Sequence, residues 1–151
     1  MKKLILVRHA HALSCLEAKV SSDRLRPLSI RGQEKARQTA QSLRAQNIHP
    51  QIIVTSPLER AVETAKLLAD TLNAPVQTES ILNGFAAEEE ICHFLAEQFG
   101  SYDTVVAVGH NPNITYVTHA LVRQIRPFAP GSFAIINMED VTQPQLIYFG
   151  E

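Results

Sequence analysis

The chain alternates between short unbroken apolar runs and longer stretches in which apolar residues recur every three or four positions. Leu4-Ile5-Leu6-Val7 is continuous, the pattern of a strand buried on both faces. A polar stretch from His9 to Pro27 follows, long for a connection and therefore a candidate functional loop. Ser29 predicts a helix cap, with the helix running to about Gln46 and turning Ala36, Ala40 and Leu43 to one side. Gln51 to Thr55 reads as a second strand. Ser56-Pro57-Leu58-Glu59 combines capping-box spacing with proline at the first helical position. It predicts a helix carrying Ala61, Ala65, Leu68 and Leu72, stopped by Asn73-Ala74-Pro75. Next come a short strand near Val76, a helix from about Ala87 to Phe99, and a strand over Thr104 to Val108. Asn111-Pro112 opens a helix ending near Gln124, and Phe133 to Met138 and Leu146 to Phe149 close the pattern as strands.

Strands separated by helices of this length predict an α/β fold, a three-layer α/β/α sandwich with a mostly parallel central sheet. Without repeats, low-complexity tracts or a dividing linker, residues 1–151 are expected to form one domain.

Composition narrows the classes. The chain is 45% hydrophobic and 19% charged, a globular balance. Its net charge is −1, and the 14 basic side chains are dispersed, so no nucleic-acid footprint is expected and recognition by charge must be local. No apolar run approaches the length of a membrane span, and Leu4 to Val7 is too short for a signal-peptide core. The expectation is a cytoplasmic protein without membrane contact. Cys15 and Cys92 are far apart, with no C-x-x-C and no paired histidine spacing, which predicts two free thiols and no zinc site.

The chemistry collects where the strong strands end. The first runs into Arg8-His9, and the second ends at Thr55 with Arg60 in the first turn of the following helix. The third runs into Gly109-His110-Asn111 ahead of another helix. Ligand sites in open α/β sheets lie beyond the carboxyl ends of strands, so parallel neighbours would bring two arginines and two histidines to one edge. Helix starts there add backbone N–H groups and a positive dipole end. Such a pocket suits a compact, multiply charged anion, with phosphate the foremost candidate.

At these residues the chain resembles a known family. Strand-Arg8-His9, then Thr55-Ser56-Pro57-Leu58-Glu59-Arg60-Ala61-Val62-Glu63-Thr64-Ala65, then Val108-Gly109-His110-Asn111-Pro112 are similar to the three signatures of the histidine phosphatase (phosphoglycerate mutase-like) superfamily. Arg26-Pro27-Leu28-Ser29 with Gly32 resembles its small bacterial SixA-type phosphohistidine phosphatases. The resemblance implies His9 as nucleophile and a phosphoryl-binding set of Arg8, Arg60, His110, Asn111 and Arg26. It also implies a covalent phospho-His9 intermediate hydrolysed by water. The usual Arg-His-Gly triplet is Arg8-His9-Ala10 here, which tightens the backbone beside the nucleophile. The mutases carry a glutamate acid; Glu79, Glu88 to Glu90 and His11 are the substitutes this sequence offers, and no flanking motif selects one.

Imidazole is nucleophilic only when neutral, so His9 needs its far nitrogen bonded to a carbonyl or carboxylate. The arginines would neutralise phosphoryl oxygens, and the lack of a ligand cluster argues for a route without metal or other cofactor. Only about 25 residues separate Val76 from Thr104, too few for the lid that family members acting on small metabolites commonly carry there. An open pocket admits a phosphohistidine-containing protein as substrate, a monomer being expected. A small-molecule phosphomonoesterase is the alternative; a phosphate-recognition module without turnover would have no need of a nucleophilic histidine. Neither G-x-G-x-x-G nor a P-loop follows any strand, which sets aside a nucleotide-binding domain.

Overall fold

A computed structural model of the chain describes all 151 residues. Six strands form one sheet in the order β3-β2-β4-β1-β5-β6. They are β1 (Lys3–Arg8), β2 (Ile52–Thr55), β3 (Val76–Thr78), β4 (Thr104–Gly109), β5 (Phe133–Asn137) and β6 (Gln145–Gly150). The first four run parallel; β5 returns antiparallel beside β1, and β6, antiparallel to β5, runs again in the direction of the first four. The α/β/α architecture with a mostly parallel sheet is the one the alternation of runs predicts.

The continuous apolar runs have a direct explanation in the two faces of this sheet. Along β1, Leu4 and Leu6 enter one core while Ile5 and Val7 enter the other, and all four are fully buried. Along β4, Val105 and Ala107 face the first core, Val106 and Val108 the second. Helices α2 (Ile30–Ala45) and α3 (Glu59–Leu72) cover the second core through Ala40, Leu43, Ala61, Ala65, Leu68 and Leu72. Helices α4 (Glu88–Gln98) and α5 (Asn113–Val122) cover the first through Ile91, Leu95, Ile114 and Val117. At about 25 cal/mol per Å² of apolar area removed from water, strands buried on both faces hold the sheet rigidly. No helix is long and apolar enough to cross a membrane.

The polar stretch after β1 is compact. It contains the four-residue helix α1 (Cys15–Ala18), capped by a Ser14–Glu17 capping box, and a 3₁₀ turn over Asp23–Leu25. A bridge between Ala12 and Leu28 draws its ends together. Ser29 caps α2 as its sequence predicts, accepting the Gly32 N–H at 3.0 Å. Cys15 and Cys92 are separate free thiols.

Two helix starts differ from the sequence pattern. Helix α3 begins at Glu59 after Leu58, so Ser56 is not its cap. Ser56 is fully buried at the end of β2, where its N–H bonds Val108 O, and its hydroxyl accepts the Leu58 N–H at 3.1 Å. The sheet claims Ser56 before the helix can. Helix α5 begins at Asn113, past a cis Asn111-Pro112 bond, and ends at Val122 with Arg123 in the left-handed region at φ 59°.

Candidate active site

The three strands that end in chemistry are neighbours. Arg8 of β1 pairs with Gly109 of β4, and Thr55 of β2 pairs with Val108 of β4, all parallel. The ladder continues past the strands: His9 N–H bonds Gly109 O at 3.0 Å and Ser56 N–H bonds Val108 O at 3.0 Å. Backbone hydrogen bonds therefore fix where the first residue after each strand begins. Arg8, His9, Arg26, Arg60, His110 and Asn111 all line one cleft of about 350 Å³, so every residue of the predicted set meets there.

His9 is fixed by its own neighbour. Its Nδ1 lies 2.8 Å from the carbonyl oxygen of Ala10. A carbonyl can only accept, so Nδ1 carries the hydrogen and Nε2 keeps its lone pair. Burial lowers the imidazole pKa to about 4, with the Arg60 and Arg8 charges adding to the shift, and the ring is neutral at physiological pH. Ala10 causes no strain in the place of the usual glycine. Its backbone is not in the left-handed region, its N–H bonds Thr64 Oγ1 at 3.1 Å, and its methyl packs with Leu28 and Ala36.

His110 faces His9, the ring centroids 5.1 Å apart. Its Nε2 is 2.7 Å from Ser56 Oγ, and its buried Nδ1 has no partner. Burial, then the neighbouring His9, then Arg60 lower its pKa to about 3, so it too is neutral in the free protein. In the free protein His110 is therefore not the imidazolium that would add a fourth positive group to the three arginines.

The arginines are anchored through part of their hydrogen-bonding capacity only. Arg8 donates from Nη1 to Phe128 O at 2.7 Å, and its buried Nε is unpartnered. Asn111 Nδ2 donates to the same carbonyl at 3.3 Å. Arg26 donates from Nε to Leu13 O at 2.7 Å. Arg60, whose side chain is 11% exposed, donates from Nη1 to the Asp23 carbonyl at 3.0 Å and from Nη2 to Asp23 Oδ2 at 3.1 Å.

Asp23 is the residue the sequence pattern misses. It is the sole carboxylate on the cleft wall and bridges Arg60 to Arg26, whose Nη1 is 3.0 Å from Oδ1. The Arg26 hydrogen bond and the Arg60 charge hold it below the usual carboxylate range. Its signal was the spacing Asp23-x-x-Arg26-Pro27, a carboxylate one turn before a quoted arginine. The other acid candidates lie elsewhere: none of Glu79, Glu88 and His11 lines the cleft. Glu88 is exposed at the start of α4, Glu79 accepts from Gln77, and His11 is engaged with Ser29 Oγ at 2.7 Å.

A family model for the histidine phosphatase superfamily (branch 1) matches residues 4–90, the stretch that holds Arg8, His9, Arg26 and Arg60, with His110 lying beyond it. The chain belongs to the histidine phosphatase superfamily. Among curated proteins, one uncharacterised protein from a Picosynechococcus species is 32% identical over 108 residues, covering 69% of this chain. The matched region spans 64% of that relative's length. Among solved structures, the protein histidine phosphatase SixA in complex with tungstate superposes at a TM-score of 0.89 over 99% of this chain and 96% of its own, at 20% identity. A protein from Nakamurella multipartitia named as a phosphohistidine phosphatase SixA gives 0.84 over 99% and 95%, at 27% identity. This member of the superfamily is thus of the SixA type in fold.

Proposed function

We propose that this chain is a phosphatase that removes the phosphoryl group from phosphohistidine on a protein by way of a phospho-His9 intermediate. The observation that carries the reading is the Nδ1–H of His9 committed to Ala10 O at 2.8 Å, inside a cleft with three arginines. In the first step the Nε2 lone pair attacks phosphorus and the bond to the substrate's imidazole breaks. Arg8, Arg26 and Arg60 offset the phosphoryl charge that would otherwise repel the lone pair. Nδ1 keeps its proton throughout, so phospho-His9 forms as an imidazolium with Ala10 O as its acceptor. Water then attacks phosphorus and His9 returns as the same neutral tautomer.

The leaving group distinguishes substrates. A phosphohistidine protonated on its distal nitrogen departs as neutral imidazole and needs no acid from the enzyme. An alkoxide needs a proton donor. The one carboxylate of the cleft, Asp23, is held ionised by Arg26 and Arg60 and has no proton to give. The mouth is also open: only a 3₁₀ turn over Ser80–Leu82 and the segment Asn83-Gly84-Phe85 lie between β3 and the approach to α4.

The test offers a labelled phosphohistidine carrier protein and common phosphate esters, followed by a denaturing quench over several times. The expected result is faster phosphate release from the carrier and label stable to alkali but lost in mild acid. Label should map to the peptide containing Arg8-His9-Ala10 and be absent from His9→Ala. Chelator should leave labelling unchanged, because the arginines supply the charge neutralisation. Turnover without label, or preference for the esters, would reject this reading.

A further inference from the structure

Hydrolysis of phospho-His9 consumes a water molecule, and that water must lose a proton as its oxygen bonds phosphorus. His9 cannot take it: Nδ1 is already protonated and Nε2 is the atom bonded to phosphorus. His110 is a poor acceptor in its place: its Nε2 is engaged with Ser56, its unpartnered Nδ1 is buried away from water, and burial, His9 and Arg60 all disfavour a charge on the ring. Asp23 has the geometry for the task. Its side chain is 62% exposed, so water reaches it, yet it lines the same cleft as His9. A carboxylate offers about four lone-pair positions. Arg26 occupies one on Oδ1 and Arg60 one on Oδ2, which leaves a free position on each oxygen. The two arginines hold the group still at the cleft wall, and its backbone carbonyl accepts a third hydrogen bond, from Arg60 Nη1.

We propose that Asp23 is the catalytic base of the second half-reaction, accepting the proton of the water that attacks phospho-His9. The inference rests on the phospho-His9 reading. Water's oxygen bonds phosphorus and the P–Nε2 bond breaks, its electron pair returning to His9. One water proton goes to Asp23 and passes from there to the released phosphate or to solvent. No proton is drawn from the leaving His9. The first half-reaction, in which His9 attacks with a lone pair, needs no base and makes no such demand on Asp23. A group so paired with arginines is a weak base. The loose transition state of phosphoryl transfer, in which the water proton is lost late, requires no stronger one.

The two half-reactions therefore respond differently to Asp23→Asn, which keeps the shape of the side chain but removes the basic oxygen. With the labelled phosphohistidine carrier and rapid quenching, label on His9 should form within about threefold of the wild-type rate, while its decay in water slows about 100-fold, the usual weight of a general base. Label should therefore accumulate. Free imidazole, which attacks through a lone pair and needs no base, should discharge the labelled variant at a rate close to wild type. Asp23→Glu, which restores a carboxylate, should recover part of the decay in water. Wild-type protein that never carries label would refute the phospho-His9 reading itself. Label on wild type with equal slowing of formation and decay in Asp23→Asn, and an equal loss of tungstate affinity, would reduce Asp23 to positioning Arg60 and overturn the proposal. So would decay in Asp23→Asn at the wild-type rate.

Discussion

His9 and His110 stand with ring centroids 5.1 Å apart and their planes inclined at 59°. The His9 ring makes His110 harder to protonate, and burial is the largest cause in both, so the pair is neutral in the free protein. The Nε2 lone pair of His9 therefore survives well below the pH at which an ordinary histidine loses it. A proton NMR titration should give His9 a midpoint of about 4. A midpoint near 6.5 would contradict the buried arrangement.

The same depression has a stability consequence. Unfolded, both histidines bind a proton at an ordinary pKa of about 6.5. Folded, they bind it only near 4 and 3. The unfolded state thus holds more protons over the interval between, and stability must rise with pH across it. Urea midpoints should fall as pH is lowered from about 6.5 toward 4, and the fall should be shallower in His110→Gln.

Arg60→Ala should weaken tungstate binding about 10- to 100-fold, the worth of hydrogen bonds to a charged group. Pairing it with Arg8→Ala should cost less than the sum of the two, since both residues serve one oxyanion. Isothermal titration reads both. Undiminished binding by Arg60→Ala would break the convergence argument at the sheet edge.

Gly32 meets a close approach. A Cβ there would lie 2.0 Å from the carbonyl oxygen of His11, which also accepts the Ser29 N–H and hydroxyl. Gly32→Ala should destabilise the protein by about 1–3 kcal/mol. The thermal midpoint should drop by several degrees, with the loop after His9 displaced.

Phe85 is 89% exposed at the mouth of the cleft. Phe85→Ala should leave the thermal midpoint within about one degree, as a surface side chain contributes little. It should raise KM for the phosphorylated carrier protein more than for a small phosphoryl donor. Equal effects on the two would remove Phe85 from protein recognition.

Much of this was legible in sequence because strands buried on both faces leave unbroken apolar runs. Leu4 to Val7 and Thr104 to Val108 declare themselves, and Arg8, His9 and His110 follow directly. Arg60 was readable from its place in the first turn of α3. What could not be read depends on contacts between distant segments. Ser56 has the spacing of a cap, but β4 takes its N–H and His110 takes its hydroxyl, 54 residues away. Asp23 lies in a polar stretch with no period, and its role as a bridge shows only when Arg60, 37 residues on, joins Arg26 against it. Glu88 to Glu90 form a run of acids that in sequence could supply a proton donor, yet they serve the start of a solvated helix.

Strand β1 is hydrogen-bonded to β4 on one side and β5 on the other, and it leads without a break into His9. The proposed nucleophile is thus mounted on a strand held on both sides, and displacing it means breaking ladders to two neighbours at once. Asp23 and Phe85 sit instead on short turns at the wetted rim. Heritable change can rework that rim, and with it whatever docks there, while the His9 imidazole stays where the sheet puts it.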